Sequence, residues 1–237
     1  WSHDNFGEDL LINPRDSGVF YWDKSNGLAT RAVNLTSLAG ASDVPTVAKQ
    51  VLVSDIDRHI VVFGANTIGT TTQDPLLIRF GSQESLTNFT PDTTNTAGDL
   101  RLSSGSEFIQ AVETKQQILV FTDRSLFSMR FIGPPFTFGL QELSKNITIM
   151  SPKSAVAVDD VVFWMGKENF YVYTGRTQQI ACTVRDKVFL DFNQSQKDKV
   201  VAGINSQWSE VWWFYPSASS EENDKYVIYN YANQTWY

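Results

Sequence analysis

Along this chain, apolar runs of about five residues are repeatedly cut by Asp, Lys, Asn or Gly before they reach helix length, which is the pattern of strands and tight turns. The clearest stretch is residues 108–183, reading FIQAV, QILVFT, SLFSMRF, then SAVAVDDVVFWMGKENFYVYTG and QQIACT. A unit recurs: a strand of small residues, a polar turn, a bulky strand ending in an aromatic, another turn, an aromatic-rich strand. The bulky strands centre on Leu11, Val61, Val120, Phe163 and Trp212, a spacing averaging about 50 residues, within the repeat range of propeller blades.

Taken in order, strands are expected at residues 9–13, 19–23 and 28–33, with Ser25-Asn26-Gly27 as a turn. Residues 35–46 read as a connection. Residues 51–54 and 59–63 pair across Asp55-Ile56-Asp57-Arg58, and 76–80 forms the next strand, with Phe89 turned inward. Three segments read as excursions suited to contacts with other chains: 64–74, 92–99 and 136–150. Asp123-Arg124 makes a two-residue hairpin connection, and Pro134-Pro135, lacking backbone donors, cannot lie within a central ladder. Val188, Phe189 and Phe192 place a short helix in 184–198. The last unit holds 200–205, 210–215 and 225–231, around a solvated SASSEENDK loop. Trp208 and the run Trp212-Trp213-Phe214-Tyr215 read as core, although strand alternation sends about half of these rings to the other face.

The expectation is therefore an all-β chain: one β-propeller-like domain over 1–237, with about five four-stranded antiparallel blades at roughly 1–34, 49–91, 102–140, 151–184 and 200–237. A two-sheet β-sandwich is the alternative. The chain opens on Trp1 and closes just after the last strand begins, so it reads as part of a longer protein.

Composition narrows the partners. A net charge of -7 disfavours binding to duplex DNA or anionic membranes, which require clustered Lys and Arg. The single cysteine, Cys182, excludes an internal disulfide and reads as a small buried apolar residue. No apolar run reaches the roughly 20 residues of a membrane helix, and no membrane insertion is expected.

Candidate chemistry is sparse. The histidines are His3 and His59, and neither lies in a zinc, triad or phosphate-loop motif. The acidic pairs Asp55/Asp57, Asp159/Asp160 and Glu221/Glu222 fall in expected turns, where acids are solvated or form Asx turns. Five Asn-x-Ser/Thr triplets, at Asn34, Asn88, Asn146, Asn193 and Asn233, read as polar turn residues. No catalytic, cofactor-binding or metal-binding residue is assigned.

Together, WSHDNFGEDLL with VFYWD, LLIRFGSQESLTNFTP, ILVFTDRSLFSMRFIGPPFTFG and VVFWMGKENFYVYTG resemble the structural proteins of tailed bacteriophages, most closely propeller-bearing tail nozzle or connector-ring proteins of short-tailed phages. The resemblance implies a non-enzymatic virion component that forms a ring with its own copies and neighbouring tail proteins. Genomic DNA would pass through that ring unbound, and an acidic lumen suits such a conduit. The alternative is a peripheral tail protein that binds a host-surface glycan or receptor through exposed aromatic rings.

Overall fold

The protein is described by a computed structural model covering residues 1–237. Its strands form five separate four-stranded antiparallel sheets of the propeller-blade type, and within each sheet consecutive strands are neighbours. The first holds β1 (Ser2–Phe6), β2 (Asp9–Asn13), β3 (Phe20–Trp22) and β4 (Val33–Asn34). The second holds β5 (Gln50–Val53), β6 (Ile60–Phe63), β7 (Leu77–Phe80) and β8 (Gly98–Arg101). The third holds β9 (Phe108–Glu113), β10 (Ile118–Thr122), β11 (Ser125–Gly133) and β12 (Thr137–Lys145). The fourth holds β13 (Ala155–Val158), β14 (Val161–Met165), β15 (Phe170–Tyr173) and β16 (Thr177–Ile180). The fifth holds β17 (Val201–Asn205), β18 (Glu210–Tyr215), β19 (Lys225–Asn230) and β20 (Thr235–Trp236). Five independent sheets are incompatible with a two-sheet sandwich.

The chain divides into two compact units, Trp1–Ala111 with Met129–Gln141, and Val112–Ser128 with Glu142–Tyr237. In the first, Leu11 and Tyr21 of the first sheet pack with Val51, Val53, Ile60 and Val62 of the second. The second sheet also buries its other face: Phe63 stacks on Phe108 at 4.9 Å, and Phe80 meets Phe138 edge-on at 5.0 Å. Gly98 on β8 allows this packing, because a Cβ there would sit 2.8 Å from Cζ of Phe80.

In the second unit, β14 does the same with consecutive residues. Phe163 and Met165 face a core shared with Val211, Trp213 and Tyr215 of β18. Trp164 points the opposite way, meeting Phe121 edge-on at 5.1 Å. A strand with large rings on both faces has period-2 side-chain geometry but no polar face. That is why these runs look continuously apolar in the sequence.

The sequence reading needs four corrections. Residues 2–6 form an edge strand whose side chains alternate in exposure, although they were assigned no strand. The strand expected at 28–33 shrinks to Val33–Asn34, after a 3-10 turn capped by the Asp23 carboxylate, and Leu28 is exposed. The second blade ends at Arg101, not 91, because the end of the 92–99 excursion leads into β8. The third ends at Lys145, because 136–150 is largely the edge strand β12. The helix is a single turn, α1 (Arg185–Phe189), with Val188 buried, followed by a 3-10 segment over Gln194–Lys199. No helix is long and apolar enough to cross a membrane.

Two adjacent tryptophans test this packing. Trp213 is fully buried, and its Nε1 donates to the Ser154 carbonyl at 2.9 Å. Trp212 lies on the opposite face of β18. Chemical denaturation of Trp213→Ala is expected to show a loss of about 3–5 kcal/mol, and of Trp212→Ala about 1 kcal/mol or less; equal losses would contradict the assigned faces.

Candidate functional site

The most developed polar cluster forms at the β5–β6 turn. Ser54 N–H donates to the His59 carbonyl at 2.9 Å and Arg58 N–H to the Ser54 carbonyl at 2.8 Å, closing a tight loop with Arg58 in left-handed backbone. The loop turns Asp57 and His59 inward, and both are buried. The carboxylate of Asp57 therefore does not follow the expectation of a solvated turn acid, whereas Asp55 is exposed. His59 Nδ1 lies 3.1 Å from Asp57 Oδ1, in ion-pair range but out of line for a hydrogen bond, and neither Asp57 oxygen accepts one. On the other side of the ring, Nε2 is 2.9 Å from Thr96 Oγ1. Phe131 and Phe138 flank the imidazole at 5.8 and 5.2 Å.

An acid, an imidazole and a hydroxyl in line is the order of a nucleophilic triad. Here the imidazole is enclosed, and Thr96 Oγ1 also accepts the Gln83 N–H at 2.8 Å. The arrangement fastens the 82–99 connection to the second sheet. His3 is exposed on β1, and nowhere do three His, Cys, Asp or Glu side chains gather as metal ligands.

The other acids lie outside any cluster. Asp159 pairs with Lys115 at 2.6 Å, and Glu222 with Lys199 at 2.8 Å, both at the surface. Cys182 is half-buried, and its burial raises the thiol pKa. Three of the Asn-x-Ser/Thr asparagines cap their own turns. The side-chain oxygens of Asn34, Asn88 and Asn193 accept the backbone N–H of Thr36, Thr90 and Ser195, two residues on, at 3.0, 3.3 and 3.1 Å. This is Asx-turn geometry.

Arg79, which no motif singles out, is buried on β7. Its guanidinium donates to the carbonyls of Asp43, Asn66 and Phe89, with no carboxylate in direct contact, and burial lowers its pKa. Arg79 and Asn66, which accepts the Thr46 N–H at 2.8 Å, fix the base of the 64–74 excursion. Like 92–97, this expected excursion remains a loop, and residues 67–72 are exposed at its tip.

The outer face of the fifth sheet presents an apolar surface in the second unit. Strand alternation separates Val211, Trp213 and Tyr215, which face the core, from Trp212 and Phe214. Phe214 pairs with Tyr226 and Val201 in register. Trp212 stacks on Phe214 at 6.0 Å and lies 5.1 Å from Tyr226, and its Nε1 donates to Glu210 at 3.0 Å. Phe214, Tyr226 and Val201 are 38, 57 and 38% exposed, and nearby Trp208 is 62% exposed. In the first unit, the β11–β12 hairpin exposes Phe131, Ile132 and Phe136. Half of the aromatic run read as core is thus surface.

No family model matches this chain, and no curated protein matches it. Among solved structures, it is similar to the extracellular domain of the B. thetaiotaomicron protein BT4673, with a TM-score of 0.59 and 10% identity over 99% of this chain and 27% of that one. It is also similar to a fungal alcohol oxidase of the AA5 family in complex with copper, with a TM-score of 0.58 and 10% identity over the whole of this chain and 51% of that one. The chain spans well under two thirds of either. At this identity the likeness shows a shared fold built of four-stranded blades, on which unrelated functions are carried.

The histidine pin is open to direct test. His59→Ala, which strands the Asp57 carboxylate in the interior, is expected to cost about 3–5 kcal/mol. Thr96→Val should cost less and mainly raise protease sensitivity in 82–99. A neutral effect of His59→Ala in urea melts would show that Asp57 has a solvated alternative.

Proposed function

We propose that this protein is a non-enzymatic structural component of a tailed-phage virion. In this reading it belongs to a tail nozzle or connector ring around the DNA conduit, where it contacts its own copies and neighbouring tail proteins. The sequence resemblance supplies the class. The observation that carries the assembly reading is the outer aromatic face of the fifth sheet, which exposes Phe214, Tyr226 and Val201 in register. Contiguous exposed apolar surface of this kind marks interaction sites, and a single blade face meeting a different surface of the next copy is a heterologous contact that closes into rings. The occupant proposed for that face is a second copy of this chain. The net charge of -7 suits a lumen that DNA traverses without being held. The alternative role, a peripheral tail protein binding a host-surface glycan or receptor, rests on a different part of the second unit, described below.

Light scattering and negative-stain electron microscopy of the purified protein, with mass spectrometry of the virion, test this reading. The expected result is a ring with a central channel that is also present in particles. Phe214→Ser with Tyr226→Ser should dissociate it to monomers without lowering the melting temperature by more than a few degrees. A protein that stays monomeric at high concentration and is absent from virions would overturn the proposal.

A further inference from the structure

Between the fourth and fifth sheets, within the second unit, lies a cleft of about 560 Å3, a size typical of small-molecule sites. Its apolar side is aromatic. Phe163 stacks on Tyr231 with ring centres 5.6 Å apart and planes at 25°, and it lies 6.0 Å from Tyr229. Tyr229 is only 7% exposed, lines the cleft, and has no hydrogen-bond partner for its hydroxyl within the chain. The ring is buried while the hydroxyl reaches the cleft with its hydrogen bonds unspent inside the chain, and burial raises its pKa, so it remains a donor.

The polar side consists of amides and a hydroxyl: Gln178, Gln179, Gln234 and Thr174. The Gln179 amide is steadied by donating to Asn169 Oδ1 at 3.0 Å. Amides and hydroxyls each offer both a donor and an acceptor. No Lys or Arg lines the cleft, and its one carboxylate, Asp159, is paired with Lys115. The nearest cations are already engaged, Arg176 by the Gln178 amide and Lys115 by Asp159, so an anionic ligand would find no free counter-charge. A wholly apolar one would strip water from the amides without replacing its hydrogen bonds. A ligand with an apolar ring face and a rim of hydroxyls satisfies both sides.

We propose that this cleft binds a neutral saccharide, its ring face on Tyr231 and its hydroxyls bonded by Tyr229 and the glutamine amides. The inference deepens the glycan-binding alternative and does not require the chain to sit in a tail. The experiment is titration of the 237-residue protein with maltotriose, cellotriose and chitotriose, and in parallel with sialyllactose and inorganic phosphate. Binding is read by saturation-transfer NMR and by intrinsic fluorescence, since Trp236 lies 4.7 Å from Tyr229. At least one neutral trisaccharide should bind, and neither anion should. Tyr229→Phe keeps every ring contact and should weaken binding about tenfold, the worth of one hydrogen bond, and Tyr231→Ala should weaken it further. Trp212→Ser, on the outer face, should leave it unchanged.

Failure of all three trisaccharides to bind, preference for an anion, or unaltered affinity in Tyr229→Phe would overturn the assignment, as would loss of binding in Trp212→Ser. If Tyr231→Ala does not fold, Tyr229→Phe decides. Saccharide binding by a protein missing from virions would sink only the assembly reading, and a virion ring that binds no sugar would sink only this one.

Discussion

The constraint on which this structure depends is that a four-stranded sheet with rings on both faces cannot stand alone in water. β14 places Phe163 and Met165 on one side and Trp164 on the other, so its sheet requires a packing partner in each direction. The second sheet meets the same demand with Val51 and Val62 on one face and Phe63 and Phe80 on the other. Each ring that is buried this way removes apolar area from water and gains offset or edge-on contacts of about 0.5–1.5 kcal/mol. The fifth sheet follows the rule on its inner face, with Trp213, and departs from it on its outer face, with Phe214 and Tyr226.

The polar features serve the same scheme by fixing loops to blades. Arg79 gathers three carbonyls from separate loops, and His59 fastens Thr96. Lys225 and Asp191 form a surface ion pair that ties the segment after α1 to the start of β19; it depresses the carboxyl pKa and raises the amine pKa. An acid lowered in the fold contributes above its unfolded pKa, and an amine raised in the fold contributes below its own. The pair therefore acts across the neutral range and weakens toward either extreme. Both side chains are partly exposed, and salt screens the pair.

Much of the fold was legible in the sequence, and what was missed has one physical cause. The inner strands β2, β6, β10, β14 and β18 were placed within a residue or two, because each carries an uninterrupted apolar or aromatic run, which burial on both faces enforces in β6, β10 and β14. The strands that were missed or misplaced, β1, β4, β8 and β12, all lie at sheet edges. An edge strand is bonded on one side and faces solvent on the other, so natural sequences keep it short and polar. SHDNF, VN and GDLR therefore carry little hydrophobic signal. The functional surfaces were legible only in outline. Alternation forecast that half of the Trp212–Tyr215 run would leave the core, but the burial of Asp57 and of Arg79 was not legible, since a buried polar group is declared by its tertiary partners and by nothing local. The cleft draws Thr174, Gln178 and Gln234 from separate turns and strands, which no sequence window spans.

The capped asparagines carry a last implication. In Asn34, Asn88 and Asn193, the Ser or Thr two residues on is part of the cap: its backbone N–H is received by the side-chain oxygen, and at Asn193 the Ser195 hydroxyl joins it at 2.6 Å. Asn193 also commits its Nδ2, which donates to the Ser220 carbonyl at 2.8 Å. At these three positions, the pattern that a secretory pathway would read as an acceptor for oligosaccharide is the signature of a closed turn. Routing the protein through such a pathway would set an enzyme in competition with the fold for the same carboxamide. Attachment at Asn193 would then require the 3-10 segment to open first.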